Sequence, residues 1–282
     1  MRRAAVILLT LAAVLTGCAA PAATLPPGVT VSVFQNRFDY SLRQLEIKVS
    51  NGTDAAITVS SATFESTRFV EPAVWDRPQQ IPSGSARDLK VQLPDPRCDD
   101  AEPVDTVALE VVLSDGTTAS ATLTPEDEQG RVDTINDGDC LEASVAAVAA
   151  ITPAEELSWT PGAHSPATLD LTVTPTGAEG TATILEAKGT VLLALTDAQG
   201  APVTVQPVNL VVDAEALAGS IRLSIVPNRC DPHAVEEDKR GTFFPLDVET
   251  GDGRSGTVYI AVSDDVRRGL YEFYADYCGL PG

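Results

Sequence analysis

Leu45, Ile47 and Val49 alternate with Glu46, Lys48 and Ser50, the period of a strand with one buried face. Asn51-Gly52 follows, a pair that tolerates positive φ and closes hairpins, and Ile57-Thr58-Val59 returns. The same pattern recurs in Val107 to Leu113, a turn at Ser114-Asp115-Gly116-Thr117, and Ala119 to Leu123. Further apolar runs occupy Thr190 to Leu195, Val208 to Val212, Ile221 to Val226, Phe243 to Val248 and Thr257 to Val262. Short runs with turn signals about every ten residues predict an all-β sandwich. The 20 glycines and 20 prolines fit many turns, with Asp137-Gly138-Asp139 and Asp252-Gly253 among them. No stripe of helical period and useful length is expected beyond the N-terminal segment. Tyr271 to Tyr277 (YEFYADY) reads as a last strand, with Tyr271, Phe273 and Tyr277 on one face and Tyr274 on the other, offering an exposed aromatic patch.

The chain also repeats itself. QLEIKVSNGTDAAITVSSATFES from Gln44 aligns with TLDLTVTPTGAEGTATILEAKGT from Thr168, and GSARDLKVQLPDPRCD from Gly84 aligns with GSIRLSIVPNRCD from Gly219. Each copy then reaches a second cysteine. The matching Arg-Cys-Asp steps select Cys98–Cys140 and Cys230–Cys278 from the three possible pairings of four cysteines. Closing loops of that size stabilises each unit by about 3–4 kcal/mol in the chain-entropy picture. The boundary falls near Leu141, giving a first module at 29–141 and a second at 142–282. Ser144 to Thr152 is then the first strand of the second module, matching Val29 to Phe34, and residues 153–166 form a loop equivalent to residues 35–43.

The N-terminus is a different kind of segment. Arg2 and Arg3 precede an apolar run from Ala4 to Val14, too short for a bilayer span of about 20 residues and suited to the core of an export signal. The run ends in Leu15-Thr16-Gly17-Cys18, which resembles the lipobox of bacterial lipoproteins. That resemblance implies a signal peptide at 1–17, acylation of Cys18, and an Ala/Pro-rich tether through residue 28. It also implies a place at the extracytoplasmic face of the cell membrane, where paired cysteines persist. Forty acidic residues against 19 basic ones give a formal charge of −21, which argues against nucleic acid or an anionic lipid face as partner.

The exported part resembles tandem immunoglobulin-like β-sandwiches, each with one disulfide linking strands. Gly269-Leu270-Tyr271-Glu272-Phe273 is similar to the entry of a tyrosine-corner strand. Tyr271 stands seven residues before Cys278 rather than two, and Trp75 and Trp159 do not keep the Cys…Trp…Cys spacing. The strings FQNRFDYSLRQLEIKV and RCDPHAVEEDKRGT also resemble a group of secreted or lipid-anchored proteins of high-GC Gram-positive bacteria, a likeness that implies no function.

Candidate chemistry is sparse. Cys230, His233, Glu236 and Glu237 have metal-ligand spacing, but the repeat commits Cys230 to a disulfide. The alternative is a short capped helical turn, with Asp231 as N-cap, Pro232 in the first position, Lys239 and Arg240 at the end and Gly241 as stop. The chain has two histidines, His164 and His233, and no G-x-S-x-G or H-E-x-x-H motif, so neither enzyme chemistry nor a cofactor is expected. Asn51-Gly52-Thr53 matches a glycosylation sequon, though its turn role is sufficient. Arg37, Phe38, Tyr40 and Arg43 gather cations and aromatics on one loop, the residue types that dominate binding hot spots. With His233 and Tyr274 they make up the candidate binding residues. A non-enzymatic surface module is expected, binding a cell-envelope protein or polymer. The alternative is capture of a small ligand or metal, through the His233 segment or the space between modules; an envelope hydrolase is the remaining possibility.

Overall fold

The computed structural model describes residues 23–40, 42–99, 101–237 and 243–280. The signal segment, Cys18, Lys239, Arg240 and Gly241 lie outside the described residues.

The chain folds as two tandem β-sandwiches. The first module runs through β1 (Val29–Phe34), β2 (Gln44–Asn51), β3 (Ile57–Ser66), β4 (Ala73–Trp75), β5 (Gln79–Ile81), β6 (Ser85–Gln92), β7 (Asp105–Val112) and β8 (Thr118–Leu123) to α1 (Arg131–Val148). The second comprises β9 (Ala149–Pro153), β10 (Ala167–Pro175), β11 (Thr181–Lys188), β12 (Leu193–Thr196), β13 (Pro202–Val203), β14 (Val205–Asp213), β15 (Gly219–Pro227), α2 (Pro232–Glu237), β16 (Phe243–Thr250), β17 (Ser255–Ala261) and α3 (Asp264–Cys278). One sheet of module one has the order β1-β2-β6, and the other β4-β3-β7-β8 with β5 also on β3. Module two repeats this as β9-β10-β15, extended by β12 and β13, against β14-β11-β16-β17. Even the irregularities recur: β3 bulges between Val59 and Ser61, and β11 between Ile184 and Glu186. All named pairs are antiparallel, and each module closes a core between its sheets. Ile47, Val49 and Leu89 meet Val59, Phe64 and Leu109 in the first; Leu169, Leu171 and Leu223 meet Ile184, Leu246 and Val248 in the second. Burying one such side chain contributes about 1.5–3 kcal/mol.

Cys98 is bonded to Cys140 and Cys230 to Cys278, the pairs selected by the repeat. Each bridge ties the chain after β6 or β15 to a helix, so the expectation of strand-to-strand bridges is corrected. Tyr271 to Tyr277 is likewise helical, inside α3, and the tyrosine-corner likeness fails with it. Val266, Leu270, Phe273 and Tyr274 are buried on one side of α3, at the three- and four-residue spacing of a helix. The cap signals are present: Ser263 Oγ accepts the Val266 amide at 3.2 Å, Asp264 and Asp265 fill the first turn, and Gly279 closes the helix at φ 63°.

α1 also replaces expected features. Asp137-Gly138-Asp139 is helix rather than turn, and Ser144 to Val148 is helix rather than strand, so the first strand of module two begins at Ala149. Residue 141 lies within this helix. Asp127 caps it, its two carboxylate oxygens accepting the amides of Arg131 at 2.8 Å and Val132 at 2.9 Å. No single apolar stripe marks α1 because it serves two cores. Val132 packs into module one, while Leu141 and Val145 pack into module two.

Two smaller expectations also change. Asn51-Gly52 does not close a β2–β3 hairpin; β2 and β3 lie in different sheets. Asn51 is 1% exposed, its amide donating to Ala55 O and Ile81 O at 2.9 and 3.0 Å, which removes it as an acceptor for a glycan. A Cβ at Gly52 would stand 2.9 Å from Gly28 O, so the close backbone approach requires glycine. The expected tether is shorter than residues 19–28: Ala23 O already accepts the Ser120 amide of β8 at 3.0 Å, and Leu25 packs on the first core.

Candidate functional site

A cleft of about 540 Å³ opens between α1, the β1–β2 loop and β17. One wall is a helical stripe of α1: Arg131, Thr134, Ile135, Gly138, Asp139 and Glu142, positions three and four apart that share a face. The loop supplies Gln35, Tyr40 and Arg43, and β17 supplies Thr257, Val258 and Tyr259. Both modules therefore contribute.

The loop is held by a buried ionic cluster. Asp39 has no exposed surface, and Glu46 is 3% exposed. Lys90 Nζ donates to Asp39 at 2.7 Å and lies 3.4 Å from Glu46. Asn36 donates its backbone amide to Asp39 at 2.8 Å and its side-chain amide to Glu46 at 2.6 Å. Burial opposes ionisation of Asp39, but Lys90 and the Asn36 amide outweigh it and hold the carboxyl below its usual range. Burial dominates at Glu46 and raises it, and the neighbouring Asp39 charge adds to the shift. Glu46 occupies an outward position of β2, which the loop covers.

Arg43 links the loop to α1. Its Nη2 donates to Asp139 at 2.5 Å and to Pro94 O at 2.9 Å. Its backbone has φ 48°, a conformation that costs a non-glycine residue of order 1 kcal/mol or more. Among the described residues, Arg43 Nε is the one buried side-chain polar atom without a hydrogen-bond partner. Glu142, one turn beyond Asp139, is exposed, yet the protein around its carboxyl and the Asp139 charge raise its pKa, with Arg43 opposing. The Arg131 guanidinium stands 5.3 Å from the Tyr40 ring centroid. Gly138 sits mid-helix, where glycine costs about 1 kcal/mol relative to alanine, and a Cβ there would meet nothing within 4 Å.

α1 is braced from both sides. Asp133 pairs with Arg68, which also holds Asp105 at 2.8 Å; Asn136 donates to Arg68 O at 2.9 Å, and Cys140 is bonded to Cys98. From module two, Asp252 accepts from Ser144 at 2.8 Å, and Arg254 donates to Cys98 O at 3.3 Å. The cleft walls therefore come prepositioned.

Of the six candidate binding residues, Tyr40 and Arg43 line the cleft and Arg37, Phe38, His233 and Tyr274 do not. Arg37 stands 5.0 Å from the Phe38 ring at the loop tip, and Phe38 is 53% exposed. His233 is exposed on α2, its amide bonded to the Asp231 carboxylate at 2.9 Å, as expected of a capped turn. Among the described residues no group of three or more His, Cys, Asp or Glu is placed to hold a metal ion. Tyr274 is corrected outright: it is 1% exposed, its hydroxyl lying 2.7 Å from Arg229 O and 3.0 Å from Asp231 O and accepting the Asp231 amide at 3.1 Å. Sequence reading missed Arg131, Gly138, Asp139, Glu142 and Tyr259. The signal for most of them was the helical spacing of Arg131, Thr134, Ile135, Gly138, Asp139 and Glu142.

No family model matches the chain, and no curated protein matches its sequence. Solved structures similar to it include red sea bream transglutaminase, at 11% identity and TM-score 0.25, covering 85% of this chain and 32% of that one. The BSP domain of a biofilm-associated protein has 10% identity and TM-score 0.26, covering 92% and 63%. The B domain of a biofilm-associated protein has 8% identity and TM-score 0.24, covering 84% and 86%. This chain thus spans about a third of the transglutaminase and under two thirds of the BSP-domain structure. Likenesses at this level bring no activity or partner with them.

Proposed function

We propose that the protein is an exported, lipid-anchored binding module whose ligand, a component of the cell envelope, occupies the cleft between its two sandwiches. The observation that carries this is the convergence at the cleft of costly features: the positive φ of Arg43, its unpartnered buried Nε, and the mid-helix Gly138. Strain and unsatisfied polar groups persist where function requires them. A volume of about 540 Å³ also lies within the range of ligand sites.

Anchoring rests on the Leu15-Thr16-Gly17-Cys18 step. With Cys18 acylated, Ala23 lies within about 18 Å of the lipid, since five residues extend no further. Among the described residues no helix is long and apolar enough to cross a membrane. A Cys18→Ser variant that still partitions with membranes contradicts the anchor.

The cleft acts by binding rather than by turnover. Asp139 and Glu142 rise from one wall, one helical turn apart, whereas glycoside hydrolysis needs carboxylates flanking the scissile bond. The four described cysteines are disulfide-bonded, so none of them supplies a thiolate. His164 Nδ1 is engaged with Tyr277 O at 3.0 Å, away from the cleft. The test is co-sedimentation of the purified chain with envelope material from its own cells. Gly138→Trp, which fills the cleft from an open position, is expected to abolish retention; undiminished retention refutes the cleft as the site.

A further inference from the structure

The ligand class can be read from the chemistry of the cleft, taking the binding role above as given. Donors and acceptors are interleaved along it. Arg131 and Arg43 donate; Asp139 and Glu142 accept; Tyr40 and Tyr259 add aromatic rings, with Tyr259 44% exposed. An anionic ligand would face Asp139 and Glu142 in a chain of net charge −21. A cationic one would face Arg43 and Arg131, and an apolar one would desolvate all four charges without replacing their water. Hydroxyl groups alone offer a donor and acceptors on the same atom. They can therefore bridge an arginine and a carboxylate on neighbouring positions, and the C–H faces of a sugar ring suit the phenol rings.

The shape agrees. From Arg131 to Glu142 the wall advances eleven helical steps, roughly 16 Å at 1.5 Å per residue. That is a groove for a run of a linear polymer rather than a pocket for one small molecule. The fixed Arg43–Asp139 pair, held at 2.5 Å and buttressed by Pro94 O, presents planar polar groups without further ordering.

We propose that the cleft binds a run of neutral polysaccharide, laid along α1 with its rings against Tyr40 and Tyr259 and its hydroxyls shared between Arg43, Asp139, Glu142 and Arg131.

The test titrates the full chain, labelled for NMR, with cello-, malto- and chito-oligosaccharides of increasing length, and with polyalanine peptide and oligogalacturonate as neutral-peptide and anionic-glycan controls. The expected result is amide shifts in α1 and β17 from at least one neutral series, with affinity rising with length and then levelling. Gly138→Trp and Tyr259→Ala should each weaken binding by at least about tenfold, with thermal unfolding still cooperative. Saccharide binding indifferent to both variants overturns the location. Binding of only the peptide or the anionic glycan, still blocked by Gly138→Trp, overturns the ligand class and leaves the cleft as a binding site. No shifts from any probe, together with envelope retention that survives Gly138→Trp, overturns both.

Discussion

Replacing Lys90 with methionine tests how the loop that carries Tyr40 and Arg43 is held. In the native protein Lys90 is the cation for Asp39, which is wholly buried, and for Glu46, which is 3% exposed. Removing one partner of a buried ion pair costs about 3–5 kcal/mol, because the other charge is left unpaired. The Lys90 side chain is itself 46% exposed, and Glu46, whose pKa is already raised, can take up a proton. Both discount the cost, to about 2–3 kcal/mol at neutral pH. For a module of this size that lowers the melting temperature by about 10 °C. The pH dependence has a definite sign. Asp39 is depressed, so its contribution is present above its unfolded value of 3.8 and lost as pH falls through its lower folded value. Glu46 is raised, so its contribution is present below 4.5 and lost as pH rises through its folded value. The gap between native and Lys90→Met proteins should therefore be full at pH 7 and shrink as acid protonates the carboxylates left without a cation. Urea unfolding of both proteins at neutral and acid pH measures it. A loss under about 0.5 kcal/mol, or a gap that does not narrow in acid, refutes this picture of the loop.

Other perturbations separate fold from site. Tyr274→Phe should destabilise module two by about 1–3 kcal/mol in denaturant melts, by stranding the buried polar groups of the 229–231 turn, while leaving envelope retention intact. The paired change Cys98→Ser, Cys140→Ser should cost about 2–5 kcal/mol and loosen α1 in hydrogen exchange, whereas protection of α1 equal to the native protein would mean that the bridge does not hold the cleft wall. Gly138→Ala should raise stability by up to about 1 kcal/mol, because its Cβ meets open space; a loss of stability would show that glycine is there for packing.

What the sequence makes legible follows from how each element earns its burial. Strands that face one core write the two-residue alternation plainly, as Leu45, Ile47 and Val49 do, each wholly buried. The repeat made the disulfide pairs legible for the same reason, since both copies solve one packing problem. α1 was illegible because its apolar residues face two cores in succession, with a glycine and two aspartates at its middle. In α3 the helical stripe was there, but Tyr271, Phe273 and Tyr277 also satisfy a strand period, and the serine and glycine caps were the deciding signal. One side of the cleft was legible, through Tyr40 and Arg43 on a loop rich in arginine and aromatics. The rest depended on α1 and on Tyr259 arriving opposite that loop, which local patterning does not encode.

The direct test of the cleft is photo-cross-linking in the cell. A photoreactive amino acid at Thr134, exposed on the cleft wall, is compared with the same group at Leu217, which is 91% exposed and not part of the cleft. Adducts with envelope material should form from position 134 in excess over 217 and disappear when Gly138→Trp is added. Equal adducts from both positions, or adducts from 134 that persist in the filled cleft, would contradict binding between the modules.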